Sequence, residues 1–259
     1  MATAKTATKK TTPANDDAAS ALPVFFKKPH ILDAKRHAKS GVSATTGFGF
    51  ARTTNSIPLS IAEFVEAAKS YPIVFAGGEQ MLPAAVLGLE QTNYFVNKKG
   101  EWLQPNYVPA HARQYPFIFF EQPAEDRFFL CVDEAAPHFQ MEKDETSQAL
   151  YNADGTPSDL GKHALEFCTD CYRQHLITRN FCDDLIKHKL LAPFHSEATL
   201  NSGKKMQLSG FQMIDEAAVN ALPEDVYLEF RQKGWLPAIH FALASVSNWK
   251  RLVDLAPQA

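Results

Sequence analysis

The chain has 259 residues, of which 45% are hydrophobic and 21% charged, close to the average of globular proteins. This composition excludes a collagen, a coiled-coil rod and a wholly disordered chain. No stretch reaches the roughly 18 consecutive apolar residues that a spanning helix needs, so we expect no integral membrane segment.

The net charge of −3 is unevenly distributed along the chain. Residues 1–40 hold eight Lys and Arg against three Asp, a balance of +5, so the other 219 residues carry −8. An acidic body without a basic, aromatic-rich face argues against a nucleic-acid partner.

Residues 1–20 are rich in Ala, Thr and Lys and lack the apolar core of a secretory signal peptide. They are predicted to form a disordered tail, because so few large apolar side chains do not offset the entropy of ordering. We expect an N-terminal extension over 21–54 and a folded body over 55–255. The sequence favours a cytoplasmic location and leaves open an export that needs no signal peptide.

Four cysteines in a chain without a secretion signal indicate free thiols in a reducing compartment. Cys168, Cys171, His175 and Cys182 are spaced to share one stripe of a helix. The first three would offer zinc ligands, but consecutive positions of one helix wrap a tetrahedral ion poorly. We therefore interpret the stripe as small core residues and expect no bound metal.

The first predicted elements lie before residue 72. Leu22–Lys28 is a short apolar segment that we expect to dock as an edge strand. Ser60 and Glu63 form a capping-box signature, in which each side chain satisfies a free amide of the first helical turn. The helix that follows is predicted to end at Tyr71-Pro72.

Residues 72–135 alternate β-branched and aromatic runs with turn signals, which predicts short antiparallel strands. Asn97–Gly100 is typical of a hairpin turn with glycine at positive φ, and Gln122–Asp126 joins a second hairpin. Val108–Gln114 is predicted as a short helix. The predicted strands are Pro72–Ala76, Ala84–Leu89, Tyr94–Val96, Trp102–Leu103, Pro116–Glu121 and Arg127–Val132.

Helical periodicity dominates the C-terminal half. Thr156 is predicted as an N-cap with Pro157 at the first helical position, and the pattern runs from Leu160 to about Leu190. Further predicted elements are the hairpin strands Glu197–Leu200 and Lys205–Leu208, the strand Phe211–Ile214, a helix over Pro223–Lys233 ended by Gly234, and a last helix from Pro237 to about Leu255.

Strands and helices are thus segregated along the chain, which indicates an α+β fold. We predict an antiparallel, mainly meander-like sheet with the C-terminal helices packed on it. The strands over 197–214 should join this sheet or form a small adjoining one. No linker rich in Pro, Gly or Ser separates the halves, so we expect a single domain.

Ten short segments of the chain carry a family resemblance in their order and spacing. They are Tyr71–Phe75, Ala85–Leu89, Tyr94–Trp102, Tyr107–Ala110, Arg113–Phe117, Leu130–Glu134, Gly210–Glu216, Leu222–Pro223, Gly234–Trp235 and Asn248–Trp249. Together they resemble the SapC family of bacterial proteins, over roughly Asn55 to Leu255.

The resemblance implies an accessory role linked to the cell surface. The family takes its name from surface-layer formation. Its members are often encoded near outer-membrane receptors, flavin-dependent halogenase-like proteins and cupin-type oxygenases. The resemblance carries no catalytic or ligand-binding residues over to this chain, and it implies no cofactor.

Two pairs of acidic residues each follow an apolar, strand-like run. Asp133-Glu134 and Asp215-Glu216 would offer ligands for a divalent cation, or an acid and a base, if the two pairs met in space. An Asp at a strand end followed by Glu is more typical of a helix N-cap and first turn. We therefore interpret both pairs as caps.

The densest group of aromatic and hydrogen-bonding side chains lies near the predicted short helix. This rim is a candidate pocket or partner-docking surface, although core packing explains its aromatic members at least as well. Arg113 is the member that is hardest to bury. The candidate residues are Trp102, Tyr107, His111, Arg113 and Tyr115.

No nucleophile elbow, phosphate loop, dinucleotide fingerprint or zinc-protease motif occurs in the sequence. We therefore predict a noncatalytic accessory protein of the SapC type with protein partners and no cofactor. The alternative is a small-molecule-binding protein or an enzyme that uses the Trp102–Tyr115 rim.

Overall fold

The protein is described here from a computed structural model, which covers residues 22–43, 47–77, 80–122, 127–200 and 203–256. The predicted tail over 1–20 lies outside the described residues. The same holds for positions 123–126, within the stretch that the sequence predicts to join the second hairpin.

The described residues contain thirteen strands, all of which pair antiparallel. They are β1 (Pro29–Ile31), β2 (Gly41–Ser43), β3 (Ser56–Pro58), β4 (Ile73–Ala76), β5 (Leu82–Val86), β6 (Phe117–Gln122), β7 (Arg127–Asp133), β8 (Phe139–Gln140), β9 (Ser147–Ala149), β10 (Leu191–Pro193), β11 (Ser196–Thr199), β12 (Lys205–Leu208) and β13 (Gln212–Ile214).

Seven α-helices complete the described part of the chain, with single 3₁₀ turns at Gly49–Ala51, Ile61–Glu63 and Ser245–Ser247. The helices are α1 (Phe64–Ala67), α2 (Ala110–Gln114), α3 (Asp159–Lys187), α4 (Glu216–Asn220), α5 (Glu224–Lys233), α6 (Trp235–Ala244) and α7 (Asn248–Leu255).

The α+β class and the C-terminal helices are confirmed. The strands are divided among four small sheets, of which the largest has the order β10-β13-β4-β5-β3. The others have the orders β1-β7-β6, β8-β2-β9 and β11-β12. The strands after α3 behave as predicted, because β13 joins β4 in the large sheet while β11 and β12 form a small hairpin.

The first strand lies later in the chain than predicted. Residues 22–28 form turns, and the edge strand β1 pairs with β7 instead. The backbone amides of Lys27 and Lys28 donate to the carboxylate of Asp133 at 3.0 and 2.7 Å. Those amides are therefore not available to a β-ladder, and pairing begins only at Pro29.

The predicted strands Tyr94–Val96 and Trp102–Leu103 reduce to a single bridge between Val96 and Trp102. The turn between them is confirmed, since the side-chain oxygen of Asn97 accepts from two backbone amides and Gly100 has a φ of +82°. The ladder does not continue because the amide of Phe95 donates to the side chain of Asn93 at 2.8 Å, and Pro105 further along has no amide hydrogen to donate.

The long helix α3 is confirmed, but Ser158 rather than Thr156 is its N-cap. The Ser158 hydroxyl accepts from the amide of Gly161 at 3.2 Å. Thr156 belongs to the preceding turn, where its hydroxyl donates to Asp154 at 2.7 Å. The last predicted helix is two helices, and Ser245 between them accepts the amide of Ile73 at 2.9 Å.

Two clusters of buried side chains form the core, and α3 contributes to both. Phe181 and Cys182 pack in the larger cluster with the five-stranded sheet and the C-terminal helices. Ala164 and Cys168 pack in the smaller cluster with β6 and β7. The core interpretation is thus confirmed for Cys168 and Cys182, while Cys171 is only partly buried.

Candidate functional site

An open cleft of about 670 Å³ lies between the segment from α2 to β6 and the first half of α3. Its volume is within the range of small-molecule sites in proteins. One wall carries Arg113 and Tyr115, and the other wall carries His163, Glu166 and Phe167. Further apolar lining comes from Val42, Phe48, Phe50, Phe117 and Leu160.

The structure brings two of the five sequence-predicted site residues to this cleft, namely Arg113 and Tyr115. The other three pack behind it or beside it. Trp102 is 5% exposed, and its indole N–H donates to the hydroxyl of Tyr71 at 3.0 Å. That hydroxyl donates in turn to the carbonyl of Tyr107. Trp102 therefore holds the chain behind the site and does not line it.

His111 joins the N-terminal segment to α2. Its Nε2 donates to the carbonyl of Val24 at 3.0 Å, and its Nδ1 accepts from Gln114 at 3.2 Å in this assignment of the tautomer. Burial lowers the pKa of His111, which keeps the ring neutral and consistent with these two roles. Its ring also lies against Phe25 and Phe26.

Arg113 is exposed to the cleft yet fixed in position. Its Nε donates to the carbonyl of Val108 at 3.1 Å, and one terminal nitrogen donates to the hydroxyl of Tyr107 at 3.0 Å. The guanidinium carbon lies 5.7 Å from the ring centre of Tyr107 and 5.2 Å from that of Phe167. Within the part of the chain that the structure describes, no carboxylate forms an ion pair with this cation.

Glu63 supports Arg113 through Tyr107. The Tyr107 hydroxyl accepts from Arg113 and donates to Oε1 of Glu63 at 3.1 Å. Burial, followed by the charge of Glu63, raises the pKa of Tyr107 to about 12, so the hydroxyl keeps its proton. Glu63 also accepts the amide of Ala110, the first residue of α2, at 2.7 Å.

The capping box at Ser60 is confirmed, since Glu63 accepts the backbone amide of Ser60 at 2.8 Å. The same carboxylate thus caps two helices. The second of these, α2, has no side-chain cap of its own because Pro109 precedes it. Glu63 therefore positions the helix that carries Arg113.

Tyr115 and His138 are buried residues that line the cleft. The Tyr115 hydroxyl donates to Oδ2 of Asp133 at 3.0 Å, and its backbone carbonyl lies 3.3 Å from Nε2 of His138. Burial lowers the pKa of His138. The neutral ring therefore donates through Nε2, and its Nδ1 has no hydrogen-bond partner among the described residues.

The α3 wall carries the negative charges of the cleft. Glu166 and Asp170 are exposed and lie on either side of Phe167 in the sequence. Asp170 pairs with Arg173 at 2.8 Å. Glu166 has no cationic partner in the described ranges. The cleft consequently presents one unpaired positive and one unpaired negative side chain on facing walls.

Cys168 is the thiol in the lining of the cleft. Burial raises its pKa to about 12, so the sulfur is a protonated thiol at neutral pH and not a thiolate nucleophile. Burial likewise raises the pKa of Cys171 to about 11. Across the ranges that the structure covers, no three His, Cys, Asp or Glu side chains are grouped as a metal site requires.

The acidic pairs have different roles, which corrects part of the capping interpretation. Asp215 is a helix cap, accepting the amides of Ala217 and Ala218 at the start of α4. Asp133 caps no helix. It is fully buried at the end of β7, and its four hydrogen-bond donors are the amides of Lys27, Lys28 and Ala135 and the hydroxyl of Tyr115.

Sequence reasoning missed the residues that come to the cleft from outside the rim. Phe48 and Phe50 precede Arg113 by more than 60 positions, and no local pattern connects them to it. The α3 residues did carry a usable signal. Leu160, His163 and Phe167 follow helical spacing on one face, so a pocket beside that face was open to prediction.

Comparison with known proteins identifies a family. The model of the SapC family matches residues 32–252. The match begins inside the stretch that the sequence analysis set apart as an N-terminal extension. No curated protein and no solved structure matches the chain significantly. Among the described residues, no helix is long and apolar enough to cross a membrane.

Proposed function

Because the chain belongs to the SapC family, we propose that it is a noncatalytic accessory protein that binds a ligand in the cleft between α2 and α3. The observation that carries this proposal is the state of Arg113. Its guanidinium is held by Val108, Tyr107 and two aromatic rings, yet it faces an open cleft with no carboxylate from the described chain paired to it.

The protonation states around the cleft favour binding over catalysis. Burial raises the pKa values of Cys168 and Tyr107 to about 12, so neither group is an activated nucleophile at neutral pH. Burial also lowers the pKa of His138, and its Nε2 faces a backbone carbonyl rather than a hydroxyl or thiol. This arrangement lacks the nucleophile–base contact on which covalent catalysis depends.

Occupancy of the cleft is testable with a fluorescent probe. Anilinonaphthalene sulfonate has an aromatic body and one negative charge, and it should bind with increased fluorescence. Leu160→Trp fills the cleft and should weaken this binding at least tenfold. Leu165→Trp places the same side chain on the same helix, at a residue that is 47% exposed and outside the cleft, and should leave binding unchanged.

Native mass spectrometry of the protein isolated from its own cells gives an independent measurement. We expect a retained small molecule that is lost in Leu160→Trp and kept in Leu165→Trp. Equal dye binding by both variants, together with no retained mass, would remove the cleft as the functional site.

A second candidate function, docking of a protein partner, is favoured by exposed apolar side chains on α3 and β7. Leu165, Leu176 and Phe128 are 47%, 41% and 39% exposed. The ring of Phe128 lies 4.3 Å from that of Tyr172, which is on the same face of α3 as the two leucines. These residues form a surface of the kind that protein partners cover.

Affinity capture with matched variants tests the docking function. The double variant Leu165→Ser, Leu176→Ser should lose a partner that the native chain retains. Leu228→Ser, at an exposed position of α5, should keep it. If both variants retain the same partners, this surface is not the docking site.

The resemblance to the family supports a partner in a cell-surface or outer-membrane receptor system. The four free cysteines support a cytoplasmic location, since reducing compartments keep thiols unpaired.

A further inference from the structure

From the charges and rings of the cleft we infer its ligand class: a small zwitterion with an ammonium and a carboxylate on an apolar body, the chemistry of an apolar amino acid. This inference rests on the proposed binding function of the cleft and adds the identity of the groups that are recognised. It follows from three features of the walls, which are a fixed cation, an unpaired anion and an apolar floor.

The cation is prepared for a carboxylate. A guanidinium has five N–H donors, and the two bonds to Val108 and Tyr107 use two of them. The remaining donors include both hydrogens of one terminal nitrogen, so a carboxylate has donors available. The contacts with the rings of Tyr107 and Phe167 fix the orientation of the plane before any ligand arrives. A binding group that is already ordered loses little entropy on binding.

The anion is placed for an ammonium. Glu166 is exposed on α3 next to Phe167, the ring that contacts the Arg113 guanidinium. Although both charges line one cleft, Arg113 and Glu166 form no ion pair, so more than 4.0 Å separates their charged atoms. A ligand that carries both charges therefore has an opposite charge available on each wall of the cleft.

The apolar floor accounts for the body of the ligand. Phe48, Phe50 and Phe117 line the cleft with Leu160 of α3. An apolar side chain buried against these residues is removed from water, which favours binding. Polar groups on the walls then set the orientation, as is usual for small-molecule sites.

Simple ions fit the cleft less well than a zwitterion does. A monoanion attracted to Arg113 would also meet the negative charges of Glu166 and Asp170. A cation attracted to those carboxylates would meet Arg113. Only a ligand with both charges satisfies both walls, which is why we prefer an amino acid to either ion.

Calorimetric titration of the full-length chain with matched ligands tests the inference. L-leucine, L-methionine and L-phenylalanine are the probes. L-phenylalaninamide lacks the carboxylate, and N-acetyl-L-phenylalanine lacks the ammonium. We expect at least one free amino acid to bind, and both derivatives of phenylalanine to bind at least tenfold more weakly than phenylalanine itself.

Two substitutions test which side chain of the cleft recognises each charge of the ligand. Arg113→Gln should weaken binding of phenylalanine at least tenfold and change binding of the amide little. Glu166→Gln should likewise weaken the binding of phenylalanine at least tenfold, and it should change the binding of N-acetyl-L-phenylalanine little. Glu142→Gln, an exposed residue outside the cleft, is the matched control and should change nothing. Circular dichroism of each variant verifies that it is folded.

The outcomes separate this inference from the proposed function. If the dye binds and Leu160→Trp blocks it, but no amino acid binds, the cleft is a binding site and the ligand class is wrong. Equal affinity for phenylalanine and both derivatives also overturns the ligand class. If Leu160→Trp changes the affinity for neither the dye nor any amino acid, both proposals fail.

Discussion

The side chain of Arg36 donates through Nε to Oε1 of Glu134 at 2.6 Å, joining the N-terminal segment to the end of β7. Lys28 also pairs with this carboxylate, at 3.1 Å, and His37 approaches it at 3.4 Å. The Glu134 side chain is only 3% exposed. Its charge is therefore compensated almost entirely by residues 28–37, so this stretch belongs to the folded body.

Glu134→Gln should destabilise the protein by about 1.5–3 kcal/mol, the range for hydrogen bonds to a charged group. The amide keeps the shape of the carboxylate but removes the charge that Arg36 and Lys28 neutralise. Urea unfolding at pH 7 measures the change. Glu142→Gln, on the exposed surface, is the control and should stay within about 0.5 kcal/mol of the native chain.

The effect of Glu134→Gln should also depend on pH. The hydrogen bond from Arg36 lowers the pKa of Glu134 from 4.5 to about 2. A depressed carboxylate pKa stabilises the fold above pH 4.5, and this stabilisation is lost as the pH falls through about 2. The difference in unfolding free energy between native chain and variant should thus shrink from pH 7 to pH 3. A difference that is constant with pH would contradict the ion-pair explanation.

Asp133→Asn should be costly, whereas the equivalent change at Asp215 should be nearly neutral. Each oxygen of Asp133, a fully buried side chain, accepts two hydrogen bonds. An amide presents N–H groups to two of those donors, and we expect a loss of about 2–4 kcal/mol. Asp215 uses one oxygen as a helix cap, and Asn caps as well as Asp does. Equal losses of stability in the two variants would disprove this distinction.

Stability should decline as the pH falls below about 6.5, because burial lowers the pKa values of His37, His111, His138 and His175. Near pH 6.5 these histidines bind protons in the unfolded chain but remain neutral in the folded chain, so acid favours unfolding. Each such histidine contributes a slope of up to about 1.4 kcal/mol per pH unit. Urea midpoints at pH 7.5, 6.5 and 5.5 measure the trend, and His138→Gln should reduce the slope. Midpoints that stay level across this range would be inconsistent with buried neutral histidines.

Local signals predicted much of the secondary structure. The capping box at Glu63, the turn at Gly100 and the end of α5 at Gly234 were all read from neighbouring residues. The role of Asp133 could not be predicted from neighbouring residues, because two of its hydrogen-bond donors, the amides of Lys27 and Lys28, are more than 100 positions away. Asp133 and Asp215 have the same Asp-Glu-Ala-Ala context, so no local pattern distinguishes a buried anchor from a helix cap.

The candidate site was predicted in part for the same reason. Arg113 and Tyr115 lie in one segment dense in aromatic residues, which made them visible in the sequence. Glu166 is an ordinary exposed residue of a long helix, and only the packing of α3 against α2 gives it a place in the cleft.

A metal chelator should leave the melting temperature unchanged. Burial raises the pKa values of Cys168 and Cys171 to about 12 and about 11, and a metal needs the thiolate form. Thermal unfolding with and without phenanthroline measures this. A drop of several degrees with release of zinc would show that these cysteines are ligands.

Unfolding of the chain should be a single cooperative transition by both tryptophan fluorescence and circular dichroism. The helix α3 packs in both core clusters, and β13 pairs with β4 across the halves of the chain. A fragment of residues 157–259 should remain unfolded, since it lacks β4. Two separable transitions, or a folded fragment, would show two independent domains.

The order β10-β13-β4-β5-β3 has a consequence for synthesis of the protein. In this sheet β4 pairs with β13. The β13 residues, Gln212–Ile214, are synthesised much later than β4, so β4 has no partner on that side during most of translation. Until β13 is made, one edge of β4 has unpaired backbone groups, and its apolar side chains are not yet fully covered. Unpaired edges and exposed apolar side chains both promote association with other chains. We therefore expect chaperones to protect this edge of the nascent chain until β13 is made, and we expect a translational pause before β13 to increase aggregation.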